Sequence, residues 1–148
     1  MVVLSEIAGN TPFVAALLSF FAAQLIKIII ELWRVKKLNV YLLISSGGMP
    51  SSHSSFVTAL TAAIGIREGF GSAIFAVSAV FAIVVMYDAA GVRRAAGTQA
   101  KVINMIVENI ENQGVTLDKK LKELLGHSPV EVLAGAVLGV IIGIWRSL

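Results

Sequence analysis

Four apolar segments of near-bilayer length, set in only 148 residues, constrain this chain more than any other feature. The first, residues 12–33, reads PFVAALLSFFAAQLIKIIIELW and is interrupted by Gln24, Lys27 and Glu31. At 1.5 Å rise per residue, about 20 residues cross the hydrocarbon core, so this segment is expected to span it. Residues 50–66, 71–87 and 129–145 are the other three expected membrane helices. Thr11-Pro12 and Ser128-Pro129 open the first and fourth with a capping hydroxyl and a proline in the first turn, where its missing N–H costs nothing. Only 14% of the residues are charged, against about 25% in a soluble domain, and the mean hydropathy is +0.86. The expected fold is all-α: an integral membrane four-helix bundle in a single domain, residues 1–148. The first ten residues, MVVLSEIAGN, lack a basic n-region, so no cleavable signal is expected.

Residues 97–125 are polar, but Val102, Ile103, Ile106, Val107 and Ile110 recur at helical spacing. An amphipathic helix is expected there, followed by a short one over LDKKLKELL, together a cytoplasmic insertion. Charge placement sets the orientation. Four crossings put Lys27, Arg34, Lys36, Lys37, Arg93, Arg94, Lys101, Lys119, Lys120 and Lys122 on one side, and Arg67 and Arg146 on the other. The positive-inside rule then predicts both termini outside and residues 88–127 in the cytoplasm of a cell-membrane protein. The fourth segment carries Gly135, Gly139 and Gly143 in a doubled G-x-x-x-G, a face for close helix packing. The same feature leaves pairing of two copies as a homodimer open. Nothing here calls for nucleic acid as a partner, and with no cysteine there is no thiolate or disulfide chemistry.

The two histidines fall at the same end of the bundle. His53 lies in GGMPSSHSS, residues 47–55. With Pro50 at the first helical position, the amides of Ser51, Ser52 and His53 would be unpaired donors at a positive helix end, which makes an anion site. Ser51 and Ser52 add hydroxyls, and Gly47 and Gly48 allow close approach. His127 precedes the Ser128-Pro129 helix start, where imidazolium is disfavoured and the ring stays neutral and nucleophilic. Glu131, four residues on, can reach back to one ring nitrogen. Two histidines and several cations on one membrane face suit phosphoryl transfer: one imidazole attacks phosphorus, the other protonates the leaving oxygen, and cations hold the equatorial oxygens.

Together these residues resemble the type-2 phosphatidic acid phosphatase superfamily, and most closely its small divergent bacterial branch. Its pattern is K-x6-RP, PSGH and SR-x5-H-x3-D. Lys27 and Arg34 match the first block, with Val35 in place of proline; Pro50-Ser51-Ser52-His53 matches the second, with Ser52 for glycine; His127 and Glu131 match H-x3-D, with Glu for Asp. The third-block arginine is displaced, leaving Arg93 or Arg94 in YDAAGVRRAAG to supply it. The resemblance implies that His127 forms a phosphohistidine, His53 is the general acid and Glu131 orients His127. It also implies that Lys27, Arg34, Ser51, Ser52 and Arg93 or Arg94 hold phosphate, with no metal or other cofactor. The expected activity is hydrolysis of a membrane-borne lipid phosphate or diphosphate at the cytoplasmic face. The alternative is a binding or transport protein that uses the same cationic pocket without cleavage.

Overall fold

A computed structural model of the chain describes residues 2–36, 48–111, 121 and 126–148. Among these residues it is all-helical: α1 (Val2–Gly9), α2 (Thr11–Val35), α3 (Ser52–Glu68), α4 (Ala73–Ala90), α5 (Val92–Glu111) and α6 (Pro129–Ser147). The exposed α1 has no counterpart in the sequence expectations. The LDKKLKELL segment lies outside the described residues except for Leu121, as do Lys37 and Gly47.

Local chemistry fixes the helix ends. Asn10, rather than Thr11, caps α2: its side-chain oxygen accepts the Phe13 amide at 3.1 Å, and Thr11-Pro12 moves into the first turn. α3, by contrast, starts two residues later than expected, because Ser51 is its cap and Pro50 precedes the helix. Ser72 caps α4 and Ser128 caps α6. Glu131 completes a capping box at the start of α6, so Pro129 takes the first helical position as the sequence implies. The amphipathic α5 begins at Val92, straight after Gly91, and so extends the insertion back almost to the end of α4.

α2, the helical run Ala73–Asn109 that contains α4, and α6 are long and apolar enough to cross a membrane. α3, with 17 residues, is about 25 Å long and packs against all three of the others. Its composition explains this central place. It is rich in Ser, Thr, Ala and Gly, residues that would gain little against lipid but let neighbouring backbones approach closely and exchange hydrogen bonds. Ser19 of α2 and Ser55 of α3 bond hydroxyl to hydroxyl and each reaches the other's carbonyl. The Thr58 hydroxyl reaches the Ala136 carbonyl of α6 at 3.1 Å, and Thr61 reaches the Ser78 carbonyl of α4 at 3.1 Å. Each such bond contributes about 0.6 kcal/mol in a membrane bundle.

The glycine face of α6 is buried against α3 in the same chain. A Cβ at Gly135 would strike the Ser51 carbonyl, one at Gly139 the Thr58 hydroxyl and Ser55 carbonyl, and one at Gly143 would stand 2.6 Å from the Ala59 carbonyl. The face that offered homodimer pairing is therefore occupied within one chain. We expect Gly139→Ala to lower stability by about 1–3 kcal/mol through overpacking, and Gly139→Leu to prevent assembly. Val137→Leu, on the exposed face of α6, should leave the thermal midpoint in detergent unchanged.

Candidate functional site

Two features aim the polar residues at one end of the bundle. The first is the α3–α6 seam. The Ser51 amide donates to the Glu131 carbonyl at 2.9 Å, which ties the cap of α3 to the first turn of α6. That bond uses one of the amides expected to await an anion. The second is the junction of α4 and α5, which receives the returning chain. Gly126, at φ +86°, lies so close to the backbone of Arg93 and Arg94 that any side chain would strike it. The next residue, His127, donates its backbone N–H to the Ala89 carbonyl at 2.9 Å. His127 is thus held from both α4 and α6.

The imidazoles come together: the His53 and His127 ring centroids are 6.2 Å apart. His127 is 2% exposed, and its Nδ1 is 3.2 Å from Oε2 of Glu131. The same oxygen accepts the Ser128 amide at 3.0 Å, so the helix cap also fixes the carboxylate beside the ring. With Nδ1 protonated and donating to Glu131, Nε2 keeps its lone pair. Nε2 is buried and makes no hydrogen bond among the described residues.

Lys27 is likewise 2% exposed, with no hydrogen-bond partner for Nζ among the described residues. Its stem runs along Gly48, where a Cβ would stand 3.2 Å from Lys27 Cγ and Cδ. Gly48 at φ +94° therefore answers both a backbone and a space requirement. Unsatisfied buried polar atoms are rare; here one is His127 Nε2 itself and another, Lys27 Nζ, lies close enough for its charge to act on both imidazoles.

The remaining residues divide. Arg93 lies close enough for its charge to act on both imidazoles, and its Nε is 2.5 Å from Asp88 Oδ2. Arg94 is exposed and contributes backbone against Gly126. Ser51 and Ser52 are buried at the start of α3, and the Ser51 hydroxyl accepts bonds from the Ser54 amide and hydroxyl. Arg34 stands apart. It is exposed in the last turn of α2 and shares an outward cleft with Ile29, Ile30 and Trp33. Asp88 was missed from the sequence, although it lies five residues before Arg93 in the quoted YDAAGVRRAAG.

Fold and cluster together define an all-α membrane protein with an imidazole pair, His127 buried and His53 half-buried, at one end of its bundle. The comparisons agree with that class. The chain belongs to the Divergent PAP2 family, whose model matches residues 8–142. It is 43% identical over 148 residues to the uncharacterized membrane protein YuiD of Bacillus subtilis (strain 168), covering 93% of this chain and 94% of that one. No solved structure matches.

Burial pushes the His127 imidazole below its ordinary pKa; the Glu131 hydrogen bond and charge oppose this, and the Lys27 and Arg93 charges add to it. The ring is accordingly neutral at pH 7. Between the depressed native value and the ordinary one, the unfolded chain binds more protons, so stability falls as pH drops through that window. Replacing Glu131 with Gln keeps the capping box but removes the carboxylate's upward influence. NMR titration of the ring should show His127 titrating below an ordinary histidine, and lower still in Glu131→Gln.

Proposed function

We propose that this chain is a metal-independent phosphatase for a lipid phosphate or diphosphate, working through a phosphohistidine on His127. The observation that carries the reading is His127 itself: one ring nitrogen held by Glu131, the other buried and unbonded among the described residues, beside His53 and the unpartnered Lys27 ammonium. Membership of a PAP2 branch supports the same reading.

In this mechanism the Nε2 lone pair of His127 attacks phosphorus and a new N–P bond forms. The bond from phosphorus to the leaving oxygen breaks, and the proton on His53 passes to that oxygen. Glu131 stabilises the charge that develops on the His127 ring. Lys27 and Arg93 carry the positive charge that meets the equatorial oxygens. A water then gives its proton to His53 and attacks the phosphohistidine, which frees phosphate and restores both rings. Asp88 holds the Arg93 guanidinium in place. We assign Arg34 to the membrane surface rather than to phosphate contact, because it is exposed beside Trp33.

The same reading includes four crossings by α2, α3, α4 and α6, with both termini outside and the site at the cytoplasmic face. Cysteines placed at Asn10 and Thr98 test this: the first should react with an impermeant label on intact cells and the second should not. Labelling of Thr98 from outside would reverse the orientation.

His127→Ala should reduce phosphate release on the order of 10⁴-fold or more while retaining measurable phosphate affinity through Lys27. Glu131→Gln should cost on the order of 10²-fold in kcat, and Asp88→Asn about tenfold through misplacement of Arg93. Rapid alkaline quench followed by mass spectrometry should find phosphate on residue 127. A lipid-phosphate binder or transporter would give no release from any substrate, and its His127→Ala variant would lose no more affinity than other pocket variants. Undiminished release from His127→Ala would remove His127 from the mechanism.

A further inference from the structure

Two apolar clefts flank α4, and only one of them touches the imidazole pair. The first lies between α2, α3 and α4 and has a volume of about 400 Å³; its walls include Phe20, Phe21, Phe56, Phe81 and Val85, with His53 at one end. The other residues lining it have hydrocarbon or aromatic side chains. The second cleft lies between α3, α4 and α6 and holds about 440 Å³, lined by residues such as Ile66, Phe70, Met86 and Ile144. The two match in size and apolarity, but His53, His127, Lys27 and Arg93 are all absent from the second. Cleft volume therefore cannot select the ligand's position, and contact with His53 can.

The position of the first cleft along the helices points the same way. Val85 lies one turn before Asp88 on α4, and Phe56 lies one turn after His53 on α3. Phe20 and Phe21 of α2 lie about two turns before Lys27. The cleft thus descends from the polar cluster into the apolar depth of the bundle. Phe20 meets Phe56 edge to face across the α2–α3 boundary, with centroids 6.2 Å apart. Phe21 and Phe81 are largely exposed on the bundle's outer surface, where membrane lipid would lie.

We infer that this cleft between α2 and α4 receives the hydrocarbon chain of the ligand, and that the ligand carries its phosphate on a single chain. The inference rests on the phosphate site proposed above and adds what that site leaves open. Among the described residues, a chain-sized apolar cleft reaches His53, and the comparable space on the other side of α4 does not. A ligand phosphate beside His127 and Lys27 then has its first methylenes at His53 and the rest between the phenylalanines. The ligand's chain exchanges bilayer hydrocarbon for cleft hydrocarbon, so the cleft sets the ligand's position while the phosphate contacts set its affinity.

The test uses the full chain in lipid nanodiscs with hexadecyl phosphate bearing a diazirine near the chain end. Photolysis should label Phe20, Phe21, Phe81 or Val85. Excess unlabelled hexadecyl phosphate should suppress that labelling and hexadecanol should not. Narrowing the cleft with Val85→Trp should lower the preference for hexadecyl phosphate over p-nitrophenyl phosphate about tenfold or more. Ala79→Trp, in the second cleft, should leave the ratio unchanged. Labels in the second cleft, or spread evenly around the bundle as bulk lipid would give, overturn the inference. So does competition by dioleoyl phosphatidic acid equal to that of the single-chain phosphate. Specific labelling of the first cleft without phosphate release keeps the inference and sinks the phosphatase reading. Phosphate release with labels elsewhere does the reverse.

Discussion

The contact between α3 and the glycine face of α6 is the constraint on which the rest depends. Glycines at three successive turns remove every side chain that would hold the two backbones apart. What replaces those side chains is direct packing of Gly135, Gly139 and Gly143 against the carbonyls of Ser51, Ser55 and Ala59. Glycine in a helix costs about 1 kcal/mol relative to alanine, so three of them in one helix need a compensating gain. The close approach provides it through dispersion contacts and the Thr58 bond to the Ala136 carbonyl. It also leaves little freedom of register, because a slip of one residue would drive a larger side chain into a carbonyl. The last contact at the polar end is the Ser51 amide on the Glu131 carbonyl. The seam that builds the bundle therefore also sets the two imidazoles side by side.

That rigidity matters because the polar cluster is unfavourable on its own. A buried ammonium and a buried imidazole nitrogen, each without a hydrogen bond among the described residues, cost several kcal/mol for the charge and about 1–3 kcal/mol for the neutral group. A looser bundle would relax by turning Lys27 outward. Here its stem is held along Gly48, on a helix pinned to α3 through Ser19 and Ser55. The cluster persists because the surrounding packing leaves it no other arrangement, which is the usual condition of a binding or catalytic site.

The legible parts of the sequence were the ones that depend on spacing along a single helix. The apolar segments marked α2, α4 and α6 because lipid exposure demands continuous hydrophobicity. Ser128-Pro129 marked the start of α6, and the four-residue step from His127 to Glu131 brought ring and carboxylate within reach because a helix turn requires it. What depended on three-dimensional proximity was hidden. The Ser51 amide looked free until α6 arrived to take it. Arg34 sits seven residues after Lys27 and shares its helical face by periodicity, yet it is exposed in the last turn of α2 while Lys27 is buried. Asp88 carried no signal of its own, since its importance comes from Arg93 across the α4–α5 junction. The glycine face was legible as a packing surface, but its partner, a helix of the same chain or of another copy, was not.

The displaced arginine shows how a contiguous pattern can be rebuilt in space. In the resembled pattern the arginine and the histidine lie a few residues apart. Here α5 and the following residues separate Arg93 from His127 by more than thirty positions. The fold closes that gap at two points. Gly126 seats directly on the backbone of Arg93 and Arg94, and the His127 amide bonds to Ala89. Farther out, the buried Asn104 carboxamide both donates to and accepts from the backbone of Leu121, each at 2.8 Å, which fixes Leu121 to α5. The opposite side of α5 exposes Val102, Met105 and Ile106, the pattern of a helix resting at a membrane interface. α5 thus holds Leu121 on one side and exposes apolar residues on the other. Loop closure entropy grows only slowly with length, so a long insertion anchored at both ends can keep Arg93 and His127 together at little thermodynamic cost.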